Sequence, residues 1–217
     1  MNPPRAWLID VHSTVLRVDF AEVHQGLADI ADVPVETFRT AYSQVIDDVM
    51  TYQGIAPQAT ARVLTSCGIE PRQRMVDELV AADQRLLIEH TEVFPDAIDF
   101  LHRLRAAGAS SALVSNCGDH TRGLLAHHGF DALVDELVLS SEVGHLKPDP
   151  RIFHIALERL ATKPESAIFV DDKVGYCRAA QALGMGAVHL ARRARSRTEA
   201  ALPEDPPIVA SFADLTP

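Results

Sequence analysis

The sequence is poor in cysteine, in positive charge and in long apolar runs. Its three cysteines, Cys67, Cys117 and Cys177, are too few and too scattered for a disulfide framework or a CxxC metal site. Lys and Arg number 20 against 30 Asp and Glu, a formal charge of −10. Such a surface argues against a nucleic-acid or anionic-membrane partner, because both need a basic footprint. It leaves room for a small anion, since a few local cations can dominate one cleft. No stretch of ~18 apolar residues occurs, so no membrane span is expected. Met1 to Val15 is broken by Arg5, Asp10 and His12 and does not read as a signal peptide. A cytoplasmic, reducing setting is the expectation. What remains is ordinary globular material: 47% hydrophobic and 23% charged residues, enough to bury a core without disulfides or a structural metal.

Short apolar runs punctuate the chain. Ala6-Trp7-Leu8-Ile9 reads as a buried strand, followed by the polar stretch Asp10-Val11-His12-Ser13-Thr14. Similar runs recur at Ala112–Val114, Leu137–Leu139, Ala167–Val170 and Ala187–Leu190, with helical spacing between them, as in Ile98, Leu101 and Leu104 after Pro95. Strands alternating with helices predict an α/β fold: a Rossmann-like parallel sheet with helices on both faces, because parallel strands need long crossovers. From about Phe20 to Glu92 the alternation stops. Phe38, Ala41, Tyr42, Val45, Ile46 and Val49 share one helical face, and Leu79 to Ile88 is helical again. The division expected is a core of residues 1–15 and 92–217 with an all-helical insert, residues 16–91, placed after the first strand.

Parallel α/β sheets bind ligands beyond the carboxyl ends of their strands. Asp10 ends the first strand, Ser115-Asn116 the second and Asp171-Asp172 the fourth, while Lys147-Pro148-Asp149-Pro150 follows the third. Taken singly, an aspartate ending a strand is more often a cap or turn residue. Together and in this order, these positions predict that three carboxylates, a hydroxyl and a lysine meet on one edge.

These four elements resemble the motifs of the haloacid dehalogenase-like hydrolases. Asp10 to Thr14 stands in the place of an Asp-x-Asp-x-Thr motif, Ser115-Asn116 in that of the Ser or Thr closing a strand, Lys147-Pro148 in that of a lysine commonly followed by proline, and Asp171-Asp172 in that of the acidic pair. The resemblance spans residues 6 to about 191, and the insert sits where many members carry a cap. It implies a Mg²⁺-dependent phosphatase for a small phosphorylated metabolite, with an aspartyl-phosphate formed on Asp10. It further implies that Asp10, the backbone carbonyl of His12 and Asp172 hold the ion, with Asp171 as a ligand or close behind. Ser115 and Asn116 would bind substrate, and Lys147 would fix a positive charge beside Asp10. The molecule is expected to be a monomer or homodimer.

One position departs from the phosphatase pattern. His12 replaces the second aspartate, which serves as acid and base in related phosphatases, and Ser13 stands where glycine is common. A neutral imidazole can take a proton from water but has none to spare for a leaving alkoxide, so good leaving groups are expected to be favoured. Two alternatives remain. A 2-haloacid dehalogenase would also lack the second aspartate, but would need no metal and no acidic pair. The other is a catalytically impaired fold serving as a ligand-binding or partner-binding module, against which the retained Asp10, Ser115, Lys147 and Asp172 argue.

Other features read more plainly. His127 and His128 point apart on a helix, His120 and His127 could share a face but have no third ligand at metal-site spacing, and Cys117 has no evident base. Arg192, Arg193, Arg195 and Arg197 read as a solvated basic segment. Pro203, Pro206 and Pro207 mark an extended tail before an edge strand at Ile208-Val209. Arg39, Tyr42, Tyr52 and Gln53 of the insert suit a polar ligand but are expected to pack or face solvent.

Overall fold

The computed structural model describes residues 6–192 and 205–217. Strand β1 (Ala6–Ile9) runs into the loop 10–15 and a three-residue strand, β2 (Leu16–Val18). Five helices follow: α1 (Phe20–Ala31), α2 (Val35–Ser43), α3 (Ile46–Thr51), α4 (Ala56–Ser66) and α5 (Gln73–Glu89). Strand β3 (Thr91–Val93) then pairs antiparallel with β2, so the insert enters and leaves through a two-stranded ribbon. The ribbon falls at the ends of the segment expected to be wholly helical. Asp19 starts α1 by accepting hydrogen bonds from the N–H groups of Ala21 and Glu22, which satisfies free donors of the first turn.

The chain then alternates through α6 (Pro95–Ala106), β4 (Ser110–Ser115), α7 (Thr121–His127), β5 (Glu136–Leu139), α8 (Ser140–Val143), α9 (Pro150–Arg159), β6 (Ala167–Asp171), α10 (Val174–Ala182), β7 (Gly186–Leu190) and β8 (Ile208–Val209). The six-stranded sheet has the order β5-β4-β1-β6-β7-β8, with every neighbouring pair parallel. Side chains alternate across it as a pleated strand requires. Trp7 and Ile9 join the apolar layer that holds Phe100 of α6, and Ala6 and Leu8 join the layer that holds Phe153 of α9. Trp7 meets Phe100 edge-on at 5.0 Å, and Phe153 meets Phe169 edge-on at 5.1 Å. The apolar side of the insert, including Val23, Leu27, Phe38 and Leu79, is continuous with the first layer.

β1 lies between β4 and β6, so the connections leave it in opposite directions. This reversal opens a crevice at the carboxyl ends of the three strands, where Asp10, Ser115 and Asp171 stand. No helix of the described residues is long and apolar enough to cross a membrane.

Arg192 corrects the reading of a solvated basic segment. Its guanidinium pairs with Asp96 at 3.0 Å, lies 4.0 Å from the centre of the Phe94 ring, and donates from Nε to the carbonyl of Thr14 at 2.9 Å. Asp96 in turn accepts from Ser211 Oγ and the N–H of Phe212, tying the C-terminal segment to the loop after β1. Arg193, Arg195, Arg197 and Pro203 lie outside the described residues. Substituting Arg192→Ala removes all these contacts at once and is expected to cost about 2 kcal/mol in urea unfolding. A loss below a few tenths would show that the contacts bear little.

Candidate active site

The loop after β1 is built to present one carboxylate. The N–H of Asp10 continues the sheet ladder by donating to the carbonyl of Val170, which places its side chain beside the end of β6. The chain then turns tightly: the N–H groups of Thr14, Val15 and Leu16 all reach the carbonyl of Val11. Ser13 adopts φ 65°, a left-handed conformation that disfavours residues with a side chain. The common glycine at this position thus has a conformational reason. Thr14, fully buried, donates from Oγ1 to Asp10 Oδ2 at 2.8 Å. This contact was not anticipated from sequence.

The other carboxylate oxygen, Asp10 Oδ1, accepts from Lys147 Nζ at 2.5 Å, and the same ammonium reaches Asp171 Oδ2 at 2.7 Å. Lys147 arrives from 137 residues away and is buried. Burial alone would depress its pKa, but Asp10 and Asp171 outweigh that and hold it above the ordinary lysine value, so the ammonium is fixed. The rings of Phe169 and Tyr176 lie 5.4 and 5.2 Å from it.

Asn116 has a structural duty. Its amide accepts from the N–H of Lys147 and donates to the carbonyl of Lys147, clamping that backbone against the end of β4. The other oxygen of Asp171 accepts from the N–H of Lys173. Asp172 is partly exposed, and its backbone carbonyl meets His189 Nε2 at 3.0 Å. Ser115 is fully buried and its Oγ has no partner, which leaves a donor free at the crevice.

Oxygen atoms of Asp10, Asp171 and Asp172 lie within 4.8 Å of one another, the one such cluster among the described residues. Burial, and then the charge of Asp10, push both Asp171 and Asp172 above the usual carboxylate range. Three carboxylates meet there against one ammonium in direct contact, Lys147, with Lys173 also acting on Asp172, and a bound cation would relieve their mutual repulsion. An all-oxygen donor set of that charge fits a hard divalent cation such as Mg²⁺.

His12 is half-buried, and its Nδ1, itself shut off from solvent, has no partner. Burial lowers its pKa, partly offset by Asp10, while Lys147 and Lys173 lower it further; the ring is neutral near pH 7. Burial likewise raises the Cys117 thiol to about 11, which makes it a poor nucleophile.

A cavity of about 450 Å³ opens from His12 and Asn116 into the space between the sheet and the insert. Arg39 and Tyr42 line it, whereas Tyr52 lies on the surface at 57% exposure. At its wall His120, just before α7, meets Asp83 of α5 at 2.8 Å, joining core and insert. The bond to Asp83, opposed by burial and aided by the charges of Asp83 and Asp119, raises the pKa of His120. A histidine raised on folding stabilises fully below its unfolded value, near about pH 6.5, and that contribution fades as pH climbs through the folded value. His120→Ala should therefore cost about 1 kcal/mol near pH 5.5 and less near pH 9. A loss that does not change with pH would show that the pair is not ionic.

The parallel sheet, its reversal at β1, and an acidic cluster facing a buried lysine define an α/β ligand site at the carboxyl edge of the sheet. Residues 5–184 match the family model of the haloacid dehalogenase-like hydrolases, and the chain belongs to that family. It is 27% identical over 202 residues to (S)-2-haloacid dehalogenase 1 of Pseudomonas sp. (strain CBS-3), covering 88% of this chain and 86% of that protein. It is 31% identical over 157 residues to the glyceraldehyde 3-phosphate phosphatase of Methanopyrus kandleri, covering 70% and 66% respectively. A family enzyme of Bacteroides thetaiotaomicron, solved with magnesium and inorganic phosphate, shares the fold with a TM-score of 0.68 and 21% identity, over 86% of this chain and 94% of that one.

Proposed function

We propose that this hydrolase is a Mg²⁺-dependent phosphatase acting on a small phosphorylated molecule, with Asp10 as nucleophile. The observation that carries the reading is the excess of carboxylate over ammonium where Asp10, Asp171 and Asp172 meet. Carbon–halogen hydrolysis needs no such excess, whereas phosphoryl transfer needs cations against the phosphoryl oxygens. Asp10 and Asp172, with the carbonyl of His12, would hold Mg²⁺, Asp171 standing beside them; the bound ion would neutralise charge on the phosphoryl group.

The rest is done by the chain itself. Lys147 and Thr14 hold one oxygen of Asp10 each, fixing the plane of the carboxylate for in-line attack. Ser115 Oγ, free of other partners, donates to a phosphoryl oxygen. As Asp10 bonds to phosphorus, the ester oxygen departs with its electron pair. Water then attacks the aspartyl-phosphate, phosphate leaves and the carboxylate is regenerated. The neutral ring of His12 accepts the proton of that water. His12→Ala should slow the second step by about 10²-fold and accumulate phosphorylated protein, read by mass spectrometry. Unchanged rates would remove His12 from the reaction.

A second reading, hydrolysis of a 2-haloacid with Asp10 attacking carbon, is supported by the extent of the match to the Pseudomonas dehalogenase. One assay separates the two. Phosphate release from acyl and aryl phosphates that requires Mg²⁺ supports the phosphatase. Metal-independent halide release from 2-chloropropionate, with no phosphate released, supports the dehalogenase.

A further inference from the structure

Resting on the phosphatase reading, we propose that the site selects phosphate monoesters with a planar aromatic leaving group. That group would be seated on a row of rings running from the catalytic loop into the insert. Four rings form the row. The centre of His12 lies 5.7 Å from that of Phe20, Phe20 lies 6.3 Å from His24, and His24 lies 5.0 Å from Tyr42. All four line the 450 Å³ cavity, and the row begins at the residue two positions after Asp10.

Core packing accounts for Tyr42, which lies against the core, but not for the outer end of the row. Phe38, next to the row, is 4% exposed and belongs to the core, but Phe20 at the start of α1 is 45% exposed. A large apolar ring left open, with part of its surface turned into a cavity beside the nucleophile, is a face awaiting a ligand. The wall is completed largely by Val23, Ile46, Val49, Met50 and Leu87. Against it a sugar or polyol would strip its hydroxyls of water with few partners in return. Of the acidic groups in the lining, Asp83 is held by His120 and Asp119 takes the N–H of Gly54 on one oxygen, which leaves Asp119 Oδ1 as a lone free acceptor. An aryl group instead gains both apolar burial and offset or edge-on ring contacts. The cavity is also far larger than a three-carbon phosphate needs. In the transfer step, the bond between phosphorus and the aryl oxygen breaks as Asp10 bonds to phosphorus. The aryl oxide leaves with the electron pair and takes its proton from solvent.

The test compares 1-naphthyl phosphate with acetyl phosphate, a small substrate with no ring to set against Phe20, using the whole protein with Mg²⁺. Phe20→Leu keeps apolar bulk but removes the ring, and Phe20→Tyr keeps the ring. Phe20→Leu should raise KM for naphthyl phosphate about fivefold more than for acetyl phosphate, and Phe20→Tyr should restore the wild-type ratio. Equal effects on both substrates, or a Phe20→Tyr variant no better than Phe20→Leu, would overturn the aromatic seat and leave the phosphatase standing. Phosphate release from neither substrate by the wild-type protein would overturn both.

Discussion

Asp10→Asn lowers turnover by at least about a thousandfold, because an amide neither carries the charge nor forms the acyl phosphate that the reaction needs. The substitution keeps the shape of the side chain. Thr14 still finds an oxygen or nitrogen at its former partner, and Lys147 still holds Asp171 at 2.7 Å. The variant is therefore expected to fold, which circular dichroism and a thermal melt would verify before the kinetics are read. Activity retained in a folded Asp10→Asn protein would mean that another group attacks.

Lys147→Met has the largest expected effect on stability. The ammonium is almost wholly enclosed, and its removal leaves Asp10 and Asp171 facing each other in a buried setting with nothing between them. Removing one partner of such a cluster costs about 3–5 kcal/mol, because the remaining charge is stranded rather than solvated. The pH dependence follows in sign. Asp171 already has its pKa raised by burial and by Asp10. A carboxylate raised on folding opposes the folded state as pH rises through that value, so without the lysine the loss should be greater at neutral than at acid pH. Added Mg²⁺ should recover part of it, since a cation that binds only the folded protein stabilises it by mass action. Urea unfolding with and without Mg²⁺ measures both effects. A variant as stable as wild type without Mg²⁺ would show that the lysine does not compensate these carboxylates.

Much of this arrangement is legible in the sequence because buried parallel strands leave little choice of residue. Ala6–Ile9, Ala112–Val114 and Ala167–Val170 are nearly unbroken apolar runs, and a polar residue closing each run is conspicuous. The pattern alone puts Asp10, Ser115 and Asp171 on one edge of the sheet. The ribbon of β2 and β3 was not legible, since three-residue strands, with Arg17 exposed between buried neighbours and Glu92 between half-buried ones, are too short to establish a period. Pairings between distant surface-type residues were equally hidden. Arg192 looked like one of several solvated arginines until Asp96, 96 residues away, was seen beneath it. The bond from Thr14 to Asp10 is local, at a separation of four, but depends on a turn with Ser13 in a left-handed conformation, which composition does not reveal. Asn116 shows the opposite limit: its position was evident, but the clamp on the Lys147 backbone depends on the path of a loop 31 residues later.

The atom at which water attacks distinguishes the two chemistries open to this family at Asp10. The decisive experiment runs many turnovers in water enriched in heavy oxygen, then weighs the peptide carrying Asp10 and the released product. Attack on phosphorus puts the label in inorganic phosphate and leaves the Asp10 peptide at its natural mass, which is the expected result. A labelled Asp10 carboxylate would mean that water attacked the carbonyl carbon of an aspartyl ester, and would contradict the phosphatase.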